Sequence, residues 1–412
     1  MSRDQPSVGA RSQSPASFAM PDDALAAMVS LLGPVEVETL PCRDAAGRVL
    51  AQPLTADRDS PPCDNSAMDG YAVRLAEVRP DGLAVAGEVL IGRSPPALPA
   101  GQALRISTGA PLPAGAEAVI RREDVEESPE KIVVRPGVEL KPGQHIRRRG
   151  ENAKQGEVVL DAGRVVDGPA ISVIASFGAT DLRVYRRVRV AILVTGNELR
   201  PPESPLDACE LRDSNGPALR TMLSGARWIE PSRQQHAPDD PAAIEQALRE
   251  CLADCHAVLL TGGVSMGGHD HVPQAIAAVG ARIVFQKLPI RPGHPMLGAV
   301  GPEGQAILAL PGNPVSVMVT ARRFGLTALR RLAGLTEPRQ AAPTVTLDHP
   351  DAHQLRLWWF RPVRLIAAGR AELVRTMGSG DMISAARSDG FVELPPDAHG
   401  SGPWPFWRWT FE

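Results

Sequence analysis

The chain has little of what would place it in several large protein classes. It carries five cysteines, an odd number at no framework spacing. That excludes a disulfide-stapled secreted scaffold and fits a reducing cytoplasm. No apolar run reaches the length needed to span a bilayer. The first twenty residues are rich in Ser, Pro, Arg and Gln and lack the apolar stretch of a secretory signal, so they read as a disordered tail. Net charge is only −3 over 412 residues, which disfavours a nucleic-acid binder driven by bulk charge. The short run Arg147-Arg148-Arg149 reads as a solvated face. There is no internal repeat of fixed period and no coiled coil.

What is present is an ordinary apolar content with room for roughly two to four domains. The expected fold class is α/β multidomain, with boundaries set by changes of texture. After the tail (1–20), residues 21–55 and 146–184 flank an insert and are expected to form one elongated α+β domain. The insert, 56–145, alternates short strands (Leu83–Leu90, Ala103–Ser107, Ala116–Arg121, Lys131–Val134) with Gly and Pro turns and reads as β-rich. Residues 185–338 read as a doubly wound α/β layer. There, buried strands at Val188–Val194, Ala257–Leu260 and Arg282–Gln286 alternate with helices, and a hairpin pairs Met296–Val300 with Ala306–Leu310. Residues 339–412 return to β texture and read as a small barrel-like domain, with the Trp404, Trp407 and Trp409 segment as an edge strand. Asp22 or Asp23 is expected to cap the first helix, and Asp239-Asp240-Pro241 to start another. Cys251 and Cys255 continue the apolar stripe of that second helix and read as core.

Two sets of residues carry chemistry. The first is Asp64-Asn65-Ser66-Ala67-Met68-Asp69-Gly70-Tyr71-Ala72, a polar run between apolar strands. The second consists of strand-end loops. These are Thr195-Gly196-Asn197-Glu198, Gly262-Gly263-Val264-Ser265, Lys287 to His294, and Pro311-Gly312-Asn313-Pro314-Val315-Ser316. Ligands of open parallel sheets bind beyond the carboxyl ends of the strands. Glycine lets backbone N–H groups approach a ligand closely, and helix starts favour anions. Lys287 and Arg291 add positive charge, and His294 adds a donor. The combination suits a phosphorylated ligand or a tetrahedral oxyanion. Glu198 and Asp270 beside such a receptor imply a divalent cation between them, and oxygen-only ligands point to Mg²⁺. A transition-metal site at His269-Asp270-His271 is disfavoured, because adjacent residues point apart.

With these residues in hand, the chain resembles the molybdopterin molybdenumtransferase family, that of bacterial MoeA and the E domain of gephyrin. Asp64 to Ala72 is the most specific marker. Ser107-Thr108-Gly109-Ala110-Pro111, Arg147 to Glu151, Thr195 to Leu199, Asp213-Ser214-Asn215, Gly262 to Gly267 and Leu310 to Ser316 support it. The resemblance runs from about Pro21 onward and implies a molybdopterin-binding α/β domain, a four-domain subunit and a homodimer. It implies molybdenum insertion: adenylylated molybdopterin and molybdate give molybdenum cofactor and AMP, with Mg²⁺.

The resemblance also implies roles. Asp64 and Thr108 line the cleft from the partner protomer, with Asn65, Ser66, Asp69 and Gly109 beside them. Glu198, Asp270 and Lys287 act from the α/β domain. Asp64, Glu198 and Asp270 hold the metal. Thr195, Gly196, Gly262, Gly263, Ser265, Arg291, His294, Pro311, Gly312, Asn313 and Ser316 bind substrate. Other proteins of molybdenum cofactor biosynthesis and acceptor apoenzymes are further partners it allows. Enzymes that share only the α/β domain lack the Asp64–Ala72 segment. A non-catalytic carrier of the same fold and a tungstate-specific paralogue stay open. The sequence departs from the family at Asn152 and Asn197 (commonly Asp), at Arg291 and His294 (commonly Lys) and at Cys63 (commonly aromatic). A terminal motif, Gly378 to Ser384, fits either substrate binding or dimer packing.

Overall fold

A computed structural model describes residues 18–264, 271–337 and 341–410. The chain divides into two compact units. One comprises residues up to Gln52 with Ala162–Ile171 and Asp181 onward; the other comprises Pro53–Asp161 and Ser172–Thr180.

The larger unit is built on a six-stranded sheet. Its order is Ile229–Ala237, Val188–Thr195, Ala257–Thr261, Ala306–Leu310, Leu297–Val300, Arg282–Gln286. The first four strands run parallel, and Leu297–Val300 is antiparallel to both neighbours. Val188–Thr195, Ala257–Thr261 and Ala306–Leu310 are buried almost end to end, as apolar runs in a two-sided layer require. Side chains alternate between two faces. Val190, Ile192 and Val194 pack with Leu219 of helix Asn215–Ser224 and Met28 of helix Pro21–Val29. Ala191 and Leu193 pack with Ile244, Leu248 and Cys251 of helix Pro241–Asp254 and Ile276 of helix Val272–Ala278. Cys251 is a packing group: burial pushes its thiol up to about 12.

Two elements of this layer are not apparent from periodicity. Ile229–Ala237 is buried only at its two ends and alternates exposed and half-buried, mostly polar residues between them, because it is the sheet's edge. Helix Asn215–Ser224 is short and opens with Asn-Gly-Pro. Asp240 does cap its helix, accepting the Ala243 N–H at 2.9 Å. The expected cap at Asp22 or Asp23 does not form. The first helix starts with Pro21 at its first turn and has no side-chain cap, and the Asp22 carboxylate bonds Arg323 instead, at 2.6 Å.

Arg323 sits in the segment Ala321–Gly325, a π-helical stretch between helices Pro314–Thr320 and Leu326–Leu332. Its side chain is fully buried and also bonds Glu393, which accepts the Trp407 indole N–H at 2.9 Å. Arg323→Met leaves Glu393 charged and buried without its cation, an expected loss of about 3–5 kcal/mol. Urea melts of the two proteins measure it; a loss below about 1 kcal/mol would mean that the indole suffices.

The C-terminal strands close into a five-membered ring: Trp358–Ala367, Arg370–Leu373, Thr344–Leu347, Trp404–Arg408, Gly390–Leu394 and back to the first. The Trp-rich segment is therefore a barrel strand with two neighbours rather than an edge.

In the other unit a six-stranded sheet is ordered Ala118–Arg121, Gly70–Val73, Gln102–Ile106, Leu83–Val89, Lys131–Val134, Val125–Glu127. Its two faces carry separate apolar clusters, Tyr71 and Ile120 in one, Ala72 and Ile106 in the other. Gly70 enters this sheet where no side chain fits: a Cβ would lie 1.9 Å from the Ile120 carbonyl oxygen.

Candidate functional site

Three parallel strands end at one cavity of about 820 Å³ in the larger unit. Val188–Thr195 delivers Thr195 and Gly196, Ala257–Thr261 delivers Gly262 and Gly263, and Ala306–Leu310 delivers Pro311 to Pro314. Ser214 and Asn215 add the start of a helix. The loops are stitched together. Thr195 Oγ1 donates to the Thr261 carbonyl at 3.2 Å, Gly262 N–H to the Leu310 carbonyl at 3.2 Å, and the Asn215 amide to the Gly312 carbonyl at 2.8 Å. Gly262 has φ +93°, and a Cβ there would lie 2.6 Å from Thr195 Oγ1. That close approach is what brings two strand-end loops edge to edge.

Among the described residues three carboxylates line this cavity: Glu198, Asp213 and Asp239. Asp213 Oδ1 accepts the Gly216 N–H at 2.9 Å. Asp239 and Asn197 form a reciprocal pair. The Asn197 N–H donates to Asp239 Oδ2 at 3.2 Å, and the Asp239 N–H donates to Asn197 Oδ1 at 3.1 Å. The amide at 197 thus spares Asp239 a second carboxylate at close range. His236 Nε2 donates to the Gly196 carbonyl at 2.7 Å and fixes the same loop. The Glu198 carboxylate has no hydrogen-bond or ion-pair partner among the described residues. Asp213 and Asp239 were not singled out from sequence as site residues. Their signal was positional, each standing at a strand end just before a helix. Among the described residues no three His, Cys, Asp or Glu side chains converge as a ready metal cage. Ser265 and Asp270, both expected in the site, lie outside the described residues.

A second cavity of about 940 Å³ shares Pro295, Pro311 and Asn313 with the first. It receives Arg291, His294 and Ser316, together with Arg361, Arg375 and Ser379 from the C-terminal barrel region. Asn313 Nδ2 donates to Ser379 Oγ at 2.9 Å, and the Val315 N–H to the Ser379 carbonyl at 3.0 Å. Arg361 pairs with Asp351 at 3.0 Å and lies over the Trp359 ring, 4.1 Å from its centroid. His294 donates through Nδ1 to the Leu288 carbonyl at 2.6 Å, which fixes its tautomer. The terminal motif serves both cavities: Gly378 and Ser379 line the second, Gly380 and Met382 the first. Lys287 is exposed, sits at φ +64° and lines neither cavity; its N–H donates to the Met296 carbonyl at 2.9 Å.

The remaining expected residues belong to the smaller unit. Asp64 accepts the Arg149 N–H at 2.9 Å and the Arg148 guanidinium at 2.6 Å, and these hold its carboxyl below the usual range. Asp69 accepts the Thr108 N–H at 2.7 Å and its hydroxyl at 3.0 Å, with the same effect. The Gly109 N–H donates to the Ser66 carbonyl at 2.8 Å, and Ser66 Oγ donates to the Met68 carbonyl at 2.5 Å. Asn65 pairs with Arg147 in a short ladder, and its side-chain Oδ1 is buried without a partner. Asn152 accepts from Arg147 at 2.7 Å through the amide oxygen, a bond that an aspartate would make equally.

Residues 20–178 match the profile of the MoeA N-terminal region (domain I and II), and residues 191–331 match that of a probable molybdopterin binding domain. A molybdopterin molybdenumtransferase of Nostoc sp. is 33% identical, over 85% of this chain and 83% of its own. One from Synechococcus elongatus is 39% identical, over 75% of this chain and 78% of its own. The crystal structure of the molybdopterin biosynthesis moeA protein from Pyrococcus horikoshii OT3 superposes with TM-score 0.78 at 28% identity, covering 94% of this chain and 98% of that one.

Proposed function

The chain belongs to the molybdopterin molybdenumtransferase family, and from that premise we propose how its residues divide the labour of molybdenum insertion. It is a transferase of molybdenum cofactor biosynthesis. The observation that carries the division is the pair of adjoining cavities of opposite character. The carboxylate- and amide-lined cavity takes adenylylated molybdopterin, with backbone N–H groups of the glycine loops against its phosphates. The arginine-lined cavity takes molybdate, a tetrahedral dianion that guanidinium forks hold well. Water cleaves the phosphoanhydride and AMP leaves. The two dithiolene thiols of the substrate then bind molybdenum; their protons and one oxo group depart as water.

Glu198, with its free carboxylate, fits a hard cation that keeps several waters, which is Mg²⁺ chemistry. When bound, Mg²⁺ polarises the phosphoanhydride. The chain's own groups orient the substrate: the Asp239–Asn197 pair and His236 hold the Thr195–Glu198 loop in place. A homodimer belongs to this reading, with Asp64 and Thr108 of one copy completing the cavity of the other. All five cysteines are free thiols, in keeping with a cytoplasmic enzyme.

Arg291→Ala tests the molybdate assignment. Losing one charge-assisted hydrogen bond should raise the molybdate concentration for half-maximal AMP release about tenfold. An unchanged value would put the oxyanion elsewhere.

A further inference from the structure

We propose that a third pocket, at the end of the parallel sheet opposite the substrate cavities, binds a compact oligophosphate anion, with pyrophosphate as its simplest form. The pocket measures about 290 Å³ and is lined by Arg48, Arg186, Arg187 and Arg189, with His256, Glu38 and Glu230. Apart from the His256 imidazole, the lining is made of charged side chains among the described residues, so nothing there would grip an acyl chain. Recognition must rest on charge and hydrogen bonds.

The donors are in place and short of acceptors. Arg48 is 6% exposed. Its Nη2 bonds the Glu38 carboxylate and, at 2.8 Å, the Tyr185 carbonyl, while its Nε is buried with no partner. The Nε of Arg189 is likewise buried without a partner. Both atoms are closed to solvent and add positive charge to the pocket wall; the donors that can touch an anion directly are the guanidiniums of exposed Arg186 and Arg187. Arg186 and Arg187 are exposed and have no ion-pair partner among the described residues. Arg48 already pairs with Glu38, so Arg186, Arg187 and Arg189 face two carboxylates: Glu230 in the lining and Glu36 beside it, whose carboxylate lies 3.5 Å from His256 Nε2 and within the field of Arg189 and Arg186. His256 does not add charge. Its Nδ1 accepts the Arg189 N–H at 2.9 Å, and burial holds its pKa below the ordinary value. Guanidinium forks match phosphate oxygens in pairs, and the volume exceeds what one tetrahedral ion fills.

Position separates this pocket from the chemistry. Arg189 stands at the start of strand Val188–Thr195, and His256 immediately precedes strand Ala257–Thr261. The substrate loops follow the other ends of the same strands, about 20 Å away at the usual rise per strand residue.

Calorimetric titration of the full chain with pyrophosphate tests the site. Wild type should bind, Arg186→Ala/Arg187→Ala should lose at least about tenfold in affinity, and Arg291→Ala should bind as wild type does. Both arginines removed are exposed, so the double variant should keep the wild-type melting temperature but lose the rise that pyrophosphate gives. ATP in a second arm separates the sources. If a nucleotide's phosphate tail enters, ATP affinity also drops in the double variant; if only the free ion fits, pyrophosphate alone responds. No binding by wild type, equal binding by the double variant, or loss in Arg291→Ala instead would each overturn the proposal.

Discussion

Asp64→Asn is expected to lower AMP release from adenylylated molybdopterin about a hundredfold, the scale of removing one preorganised electrostatic group, and to leave the protein folded. The carboxylate accepts from the Arg149 N–H and from the Arg148 guanidinium. Asparagine keeps one acceptor oxygen but turns an amide donor towards the remaining donor. The lost ion pair is solvent-exposed, with side-chain exposures of 57% for Arg148 and 35% for Asp64, so its contribution to stability is at most about 1 kcal/mol. Activity and stability should therefore separate. Wild-type turnover in the variant would remove Asp64 from the mechanism.

Glu198→Gln is the second large effect, and its signature is the inverse of a structural mutation. The Glu198 carboxylate has no partner among the described residues. Neutralising it should lower turnover by a hundredfold or more while the melting temperature stays level or rises slightly, as at sites where function is kept against stability. A drop of more than about 1 kcal/mol in stability would recast Glu198 as a structural residue.

The two variants together test the shared cleft. If Asp64 and Glu198 act across a homodimer, mixing the inactive proteins after dissociation makes about half of the dimers mixed. Each mixed dimer then has one intact cleft, and activity returns to about a quarter of wild type. No recovery would mean that both residues serve within one protomer.

Much of the fold is legible without coordinates. Val190–Val194 and Ala257–Leu260 are apolar throughout, runs that a two-sided layer buries. Asp240-Pro241 marks its helix through local capping alone. Ile229–Ala237 escapes because this edge strand buries only its two end residues, and the mostly polar stretch between them resembles loop. The Trp404–Arg408 strand is visible, but its place inside a closed barrel is not, since closure depends on strands far apart in sequence.

The site divides in the same way. Sequence by itself determined the glycine loops, the Asp64–Ala72 segment and the family, because backbone demands and dense local motifs are written in consecutive residues. Tertiary structure alone decided the rest. It put Arg291 and His294 in a different cavity from the carboxylates, brought Arg361 and Arg375 to them from the barrel region, set Asp213 and Asp239 beside Glu198, and left Lys287 lining neither cavity. Those placements depend on which strand ends converge and which side chains already have partners, and pairing of that kind has no local trace in the chain.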